Sequence, residues 1–380
     1  MPPSGSSSPA GNSVLSKRGS DALRPEVYEE HDTLLPGQTP ISRVPELWMS
    51  DGNIVLVCQG QAYRVHKGLL ALNSVVFRDM VSNAQPDGDE VYAGCPVVRL
   101  SDAAEDIQHL LKAVYLRKYF RKGEAQSLSK IGSLLRITKK YMFDSIRQEV
   151  VKHFTLLFPS SMSDYISTTR QSLIPDDYNP FIAAQIAIEH DLSSTIPVAV
   201  YECTLLPMPT LFDGHSVGNA PTVYLTPSTQ RMCITIRERI KQLVYEVADE
   251  FIWPWQTEEA EDPPHPYVDH PECIKAFEAA RKSADCLYWA DGYNVFMTRL
   301  SERLGNQEST VMCEICRLAW KDGEASGRVQ LWRDLPGLCG LGDWLSLLKA
   351  DGTVNRDAAI VATPVWSLEP IEMYVQSRGA

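Results

Sequence analysis

No stretch of this 380-residue chain approaches the roughly 20 consecutive apolar residues that a membrane helix requires, so no membrane partner is expected. Positive charge is also in short supply. With 36 Lys and Arg against 48 Asp and Glu, the formal net charge of −12 is spread along the chain and works against non-specific binding to nucleic acid or anionic lipid. Signatures of catalysis are sparse: no G-x-S-x-G elbow, no H-E-x-x-H, no Walker lysine and no EF-hand acid series is expected, and no enzyme. "GLCGLG" at 337–342 has its glycines in the wrong order for a nucleotide loop, and no strand precedes it. The opening "MPPSGSSSPAGNSVLSKRGS" lacks the apolar core of a secretory signal, and its Ser, Pro and Gly cannot offset ordering entropy by burial. Residues 1–40 are therefore expected to be a disordered tail. Nine cysteines, odd in number and scattered, argue against a disulfide framework and for a reduced compartment, cytoplasmic or nuclear.

What is present is an ordinary globular composition, 44% hydrophobic, and length enough for more than one core. "DGNIVLVCQGQAYRV" predicts a strand, a Gln-Gly turn and a second strand. Ile54 to Val57 is apolar without alternation, as in a strand covered on both faces. "HKGLLALNSVVFRDMVS" then switches to helical spacing, and Ser74 is placed to cap the second of two short helices. "GCPVVRLSD" predicts another strand, with Ser101 or Asp102 as cap for the helix "AAEDIQHLLKAVYLRKYF", where Ile107, Leu110, Leu111 and Val114 recur at helical intervals. Two further amphipathic stretches end near Pro159. This order predicts a small α+β domain over 45–156.

Beyond it, 157–226 is expected to hold a compact Ala- and Ile-rich helix and then a connection punctuated by Pro and Gly, "PVAVYECTLLPMPTLFDGHSVGNAPTVYLTPS". A mostly α-helical C-terminal domain is expected over 227–380. It opens with a long helix at 228–252, broken by "WPWQTEEAEDPPHP", and helical patterns resume at 271–290, 292–304 and 308–320. A Trp-Leu-Pro turn and a last amphipathic helix follow.

The string Tyr63, Val65-His66-Lys67, Leu70-Ala71, Ser74, Phe77 and Met80 resembles the signature of the BTB/POZ domain, and the flanking "DGNIVLV" and "PVVRLSDAAEDIQHLLKAVYLRKYF" sit where that family has its first strand and the strand-helix unit after the signature. The resemblance covers roughly 45–155, and the wider pattern is similar to BTB proteins of mushroom-forming fungi. It implies a short mixed sheet flanked by helices, and a protein-interaction module without catalytic chemistry, paired as a homodimer or hetero-oligomer. It sometimes also implies an adaptor bringing a client to a cullin-type ubiquitin ligase. Relatives that bind transcriptional partners keep an acid in the first strand that forms a charged interface pocket with the basic residue after the signature His. Here the matching residue is Asn53, which can hydrogen-bond Lys67 without supplying charge, although Asp51 lies two residues earlier. Cullin-binding relatives often carry an apolar-x-Glu motif after their third main helix, whereas this chain has "RKYFRKGEAQ", with Lys122 at the apolar place.

His66 could serve as an acid or base, but nothing nearby supplies a nucleophile, and a His at a strand-to-helix junction usually fixes the turn. Lys67 reads as a surface or interface charge. Cys313 and Cys316, in "TVMCEICRLAW", would present two thiolates on one side of a helix, where they can share a zinc ion or act in redox chemistry. A structural zinc needs more donors, and His270, Cys273, Cys286 and Cys339 are the candidates, at spacings unlike any compact finger. The alternative makes Met312, Ile315, Cys316 and Ala319 an apolar helical face. No other cofactor is implied. Trp253, Trp255, Trp289, Trp320, Trp332 and Trp344 all fall in the second half, as core or as anchors for a partner.

Overall fold

The structure, a computed structural model, describes residues 41–83, 90–121, 123–252, 271–273, 275–276, 294–297 and 313–351. The tail over 1–40, the acidic loop after Trp255 and most of the helical patterns expected between 271 and 312 lie outside the described residues.

Three strands come first: β1 (Ser42–Trp48), β2 (Ile54–Cys58) and β3 (Gln61–Val65). Helices α1 (Lys67–Asn73) and α2 (Val75–Asn83) lead to β4 (Val91–Tyr92), β5 (Cys95–Leu100) and α3 (Ala104–Tyr115). The sheet order is β1-β3-β2-β5-β4, with β2 antiparallel to β3 and parallel to β5, and β1 parallel to β3. The sheet is thus mixed, as expected. Gln59 and Gly60 close the β2-β3 hairpin with φ of 46° and 78°, the positive values that a two-residue primed turn needs at both places. All five residues of β2 are buried, which explains its unbroken apolar run.

The start of α3 departs from expectation. Its N-cap is Ala103, with no side-chain cap. Gln59 reaches across from the hairpin instead, and its Oε1 accepts from the Ala104 N–H at 2.9 Å. Asp102 turns away to accept from Lys140 Nζ at 2.5 Å and the Tyr141 hydroxyl at 2.6 Å. A charged partner for its carboxylate is worth more than one capping bond.

Helices α4 (Leu128–Tyr141) and α5 (Asp144–Leu157) stand between two apolar clusters. In the first, Leu56, Tyr63, Val65, Leu70, Phe77, Ile107, Leu110 and Leu111 pack with Ile137, Tyr141 and Phe143. The second takes Leu128, Ile131, Leu134, Leu135, Val150, Phe154 and Leu157 from the opposite faces of α4 and α5. Described residues from Ser42 onward accordingly belong to one compact body.

The second cluster is built on α6 (Met162–Tyr165), α7 (Thr168–Leu173), α8 (Pro180–Glu189), α9 (Ile196–Thr204), α10 (Thr210–Asp213) and α11 (Pro227–Ile252). The expected Pro- and Gly-punctuated connection is therefore helical in part. Every residue of α9 is buried, and a helix surrounded by protein shows no polar face and so no helical period. Pro197 sits in its first turn, where a missing N–H costs nothing. Helix α12 (Glu314–Leu338) then runs through the expected Trp-Leu-Pro turn, and the chain turns only after it, before α13 (Trp344–Ala350). Pro336 cannot donate to the Trp332 carbonyl one turn back. That oxygen accepts instead from the Trp344 indole N–H at 2.8 Å, so the proline fastens α13 onto α12.

Candidate functional site

At the strand-to-helix junction, His66 is held on three sides. Its backbone N–H donates to the Tyr115 hydroxyl at 2.7 Å, its Nδ1 lies 3.1 Å from the same oxygen, and its Nε2 lies 3.1 Å from Asp51 Oδ1. If the Tyr115 O–H donates to Nδ1, the ring carries its proton on Nε2 and gives it to Asp51. That hydrogen bond holds the Asp51 carboxyl below its usual range. Burial raises the Tyr115 phenol, so it is no activated base. The arrangement ties β3, the β1-β2 loop and α3 together, and it has the form of a turn-fixing device.

Asn53 and Lys67 do meet, through the backbone. Asn53 Oδ1 accepts from the Lys67 N–H at 2.8 Å, capping α1, while the Lys67 side chain is exposed. The carboxylate of this loop, Asp51, serves His66 rather than Lys67.

The other signature residues are core groups. Tyr63, Val65, Leu70 and Phe77 are buried, and the Phe77 ring centroid is 4.8 Å from that of Tyr141. Met80 is half-buried against the same cluster, and Ala71 on α1 is half-buried. Ser74 caps α2 as its place in the sequence predicts, with Oγ accepting from the Phe77 N–H at 3.0 Å and donating to the Tyr141 carbonyl. Between α1 and α2 the chain presents two apolar groups to solvent, Leu72 at 82% exposure and Val75 at 42%.

In the second half, Cys273 joins Cys313 and Cys316, with all three sulfurs within 4.8 Å of one another. Cys313 is the N-cap of α12 and Cys316 lies in its first turn. Burial and hydrogen bonds with the other two thiols push the Cys316 thiol up. Cys339 is not part of this group; it is buried in the helical core, and burial pushes its thiol up to about 12. His270 and Cys286 lie outside the described residues, as do Met312 and the side chains of Ile315 and Ala319. Trp332 and Trp344 stack at 5.8 Å within the helical core, which answers for these two in favour of core. Trp253, Trp255, Trp289 and the Trp320 side chain lie outside the described residues.

One catalytic string is nevertheless present, without the elbow around it. Gly214-His215-Ser216-Val217-Gly218 spells G-x-S-x-G, but a nucleophile elbow requires a strand before the serine and a helix after it. Here the four-residue α10 precedes, His215 pairs with Val223 in an isolated antiparallel bridge, and Ser216 lies exposed in a loop. The letters match and the setting does not.

Sheet, signature and helices together define a small mixed α+β interaction fold, and comparison with family models agrees: residues 49–155 match the BTB/POZ domain. This part of the chain is a BTB/POZ domain, a protein-interaction module, followed by a mostly helical region. No curated protein matches the chain. Among the described residues, no helix is long and apolar enough to cross a membrane.

Proposed function

We propose that this protein is a non-enzymatic interaction protein of the cytoplasm or nucleus, whose BTB domain pairs with a second copy or another BTB chain while its helical region braces the domain and selects the partner. The observation that carries this reading is the BTB match over 49–155, whose signature helices leave Leu72 and Val75 exposed. Exposed apolar groups supply burial to a partner, and charges on the same domain, such as Lys67 and Asp51, supply orientation.

Sedimentation of the full chain tests it. A concentration-dependent dimer that Leu72→Asp converts to monomer is expected. A strict monomer at tens of micromolar that also fails to capture BTB chains would sink the reading. Cullin capture in the same assay would redirect it to a ligase adaptor, the alternative that the resemblance raises.

A further inference from the structure

We propose that Cys273, Cys313 and Cys316 form a structural zinc site that clasps the start of α12 to the segment at 271–273. The role is independent of BTB pairing. Three observations converge on it.

The first is proximity. Cys273 lies 40 residues before Cys313, yet the fold brings three sulfurs within 4.8 Å of one another. Around a tetrahedral zinc with Zn–S of about 2.3 Å, sulfurs stand about 3.8 Å apart, so a small rearrangement closes the set.

The second is the direction of the hydrogen bonds. Among the described residues outside the cluster, Cys58 gives to the Asp102 carbonyl, Cys95 to that of Gly52, Cys203 to that of Pro180 and Cys233 to that of Val200. In the cluster the thiols bond one another, and two of the sulfurs also accept from backbone amides. The Cys313 N–H donates to Cys273 Sγ at 3.2 Å and the Cys316 N–H to Cys313 Sγ at 3.4 Å. Backbone N–H groups aimed at sulfur are the outer partners that orient a ligating cysteine.

The third is the helix behind it. With Cys313 at the N-cap of a 25-residue helix, the amide ends of α12 face the sulfurs and favour negative charge there. Oxygen-seeking cations are poorly served by three sulfurs, whereas zinc is well served. Binding displaces three thiol protons to solvent, leaving Zn²⁺ on three thiolates with the fourth position for water or another donor. Affinity therefore rises with pH.

The test uses the full chain, reduced and stripped of metal. Titration with Zn²⁺ should reach about one equivalent, and Co²⁺ should give intense sulfur-to-cobalt charge-transfer absorption. Bound Zn²⁺ should shield three cysteines from alkylation and raise the melting temperature. Cys273→Ser, Cys313→Ser and Cys316→Ser should each weaken metal binding at least tenfold, while Cys95→Ser, in the sheet domain, leaves it unchanged. The alkylation arm needs no variant, so a misfolded mutant does not decide the matter. Absence of Zn²⁺ and Co²⁺ uptake at micromolar concentrations would overturn the proposal. So would uptake that survives Cys313→Ser/Cys316→Ser, or a Cys313–Cys316 disulfide whose reduction restores no metal binding.

Discussion

The two clusters that meet across α4 satisfy their buried polar groups in different ways. In the sheet cluster the innermost partners are neutral: Ser74 serves the Phe77 N–H and the Tyr141 carbonyl, and Tyr63 donates to Gln61 Oε1 or the Ala104 carbonyl, while the charged pairs at its margin, Asp102 with Lys140 and Asp106 with Arg136, leave their cations half exposed. The helical cluster holds a charged pair. Arg170 Nη2 lies 2.6 Å from Glu202 Oε1, Tyr165 donates to the same oxygen at 2.6 Å, and Asn294 links Tyr165 to Tyr201. Neutral bonds inside one hairpin-and-helix unit tolerate loss, whereas a desolvated pair drawn from separate helices does not.

The bluntest way to break this comparison is to cut the chain after residue 156. Leu134, Leu135 and Phe154 then lose the helices that cover them. The fragment is expected to aggregate on size exclusion; a monodisperse fragment with a sharp melt would show that the clusters fold independently.

Glu202→Ala leaves Arg170 buried without its countercharge and should lower stability by about 3–5 kcal/mol, measured by urea unfolding. Glu202→Gln, which keeps an acceptor, should lose less. In the sheet cluster Phe77→Ala opens a cavity and should cost about 3–4 kcal/mol in the same assay. Ser74→Ala should cost about 1–2 kcal/mol, since it orphans one N–H at the start of α2.

Acid should also weaken the fold through its buried histidines. Burial, then the positive charges of Arg147, Arg136 and Lys139, lowers the His190 pKa to about 4, and burial lowers that of His153. Both histidines are neutral in the fold and gain protons more readily when unfolded. Their contribution is complete above about pH 6.5 and is lost as pH falls towards 4, for His190 at up to about 1.4 kcal/mol per pH unit. Unfolding of His190→Gln followed against pH should show a shallower loss. The smallest effect belongs to Asn53→Asp. An acceptor for the Lys67 N–H is kept, so stability should change by less than about 0.5 kcal/mol, while any change in pairing registers the added charge.

How much was legible in the sequence follows the same division. The β2-β3 hairpin, the Ser74 cap and the signature helices are local patterns, and local patterns survive in a string of letters. The α3 cap was misplaced because its acceptor, Gln59, lies 45 residues away. Helix α9 is hard to read because full burial erases its period, and Pro197 in its first turn and Pro207 after it look like breakers. Cys313 and Cys316 were visible from spacing; Cys273 stood among four candidates until the fold chose it. Asp51 was noted as a stand-in acid, but its pairing with His66 depends on the loop's path and not on its letters.

Helix α4 carries a consequence of its own. Ile137 and Tyr141 face the sheet while Leu128, Ile131, Leu134 and Leu135 face the helical bundle, so the one helix reports to both sides. Hydrogen exchange along this one helix should therefore slow when a partner seats on the BTB face and slow again when the far bundle is reinforced. A single row of amides can serve as the gauge of both events.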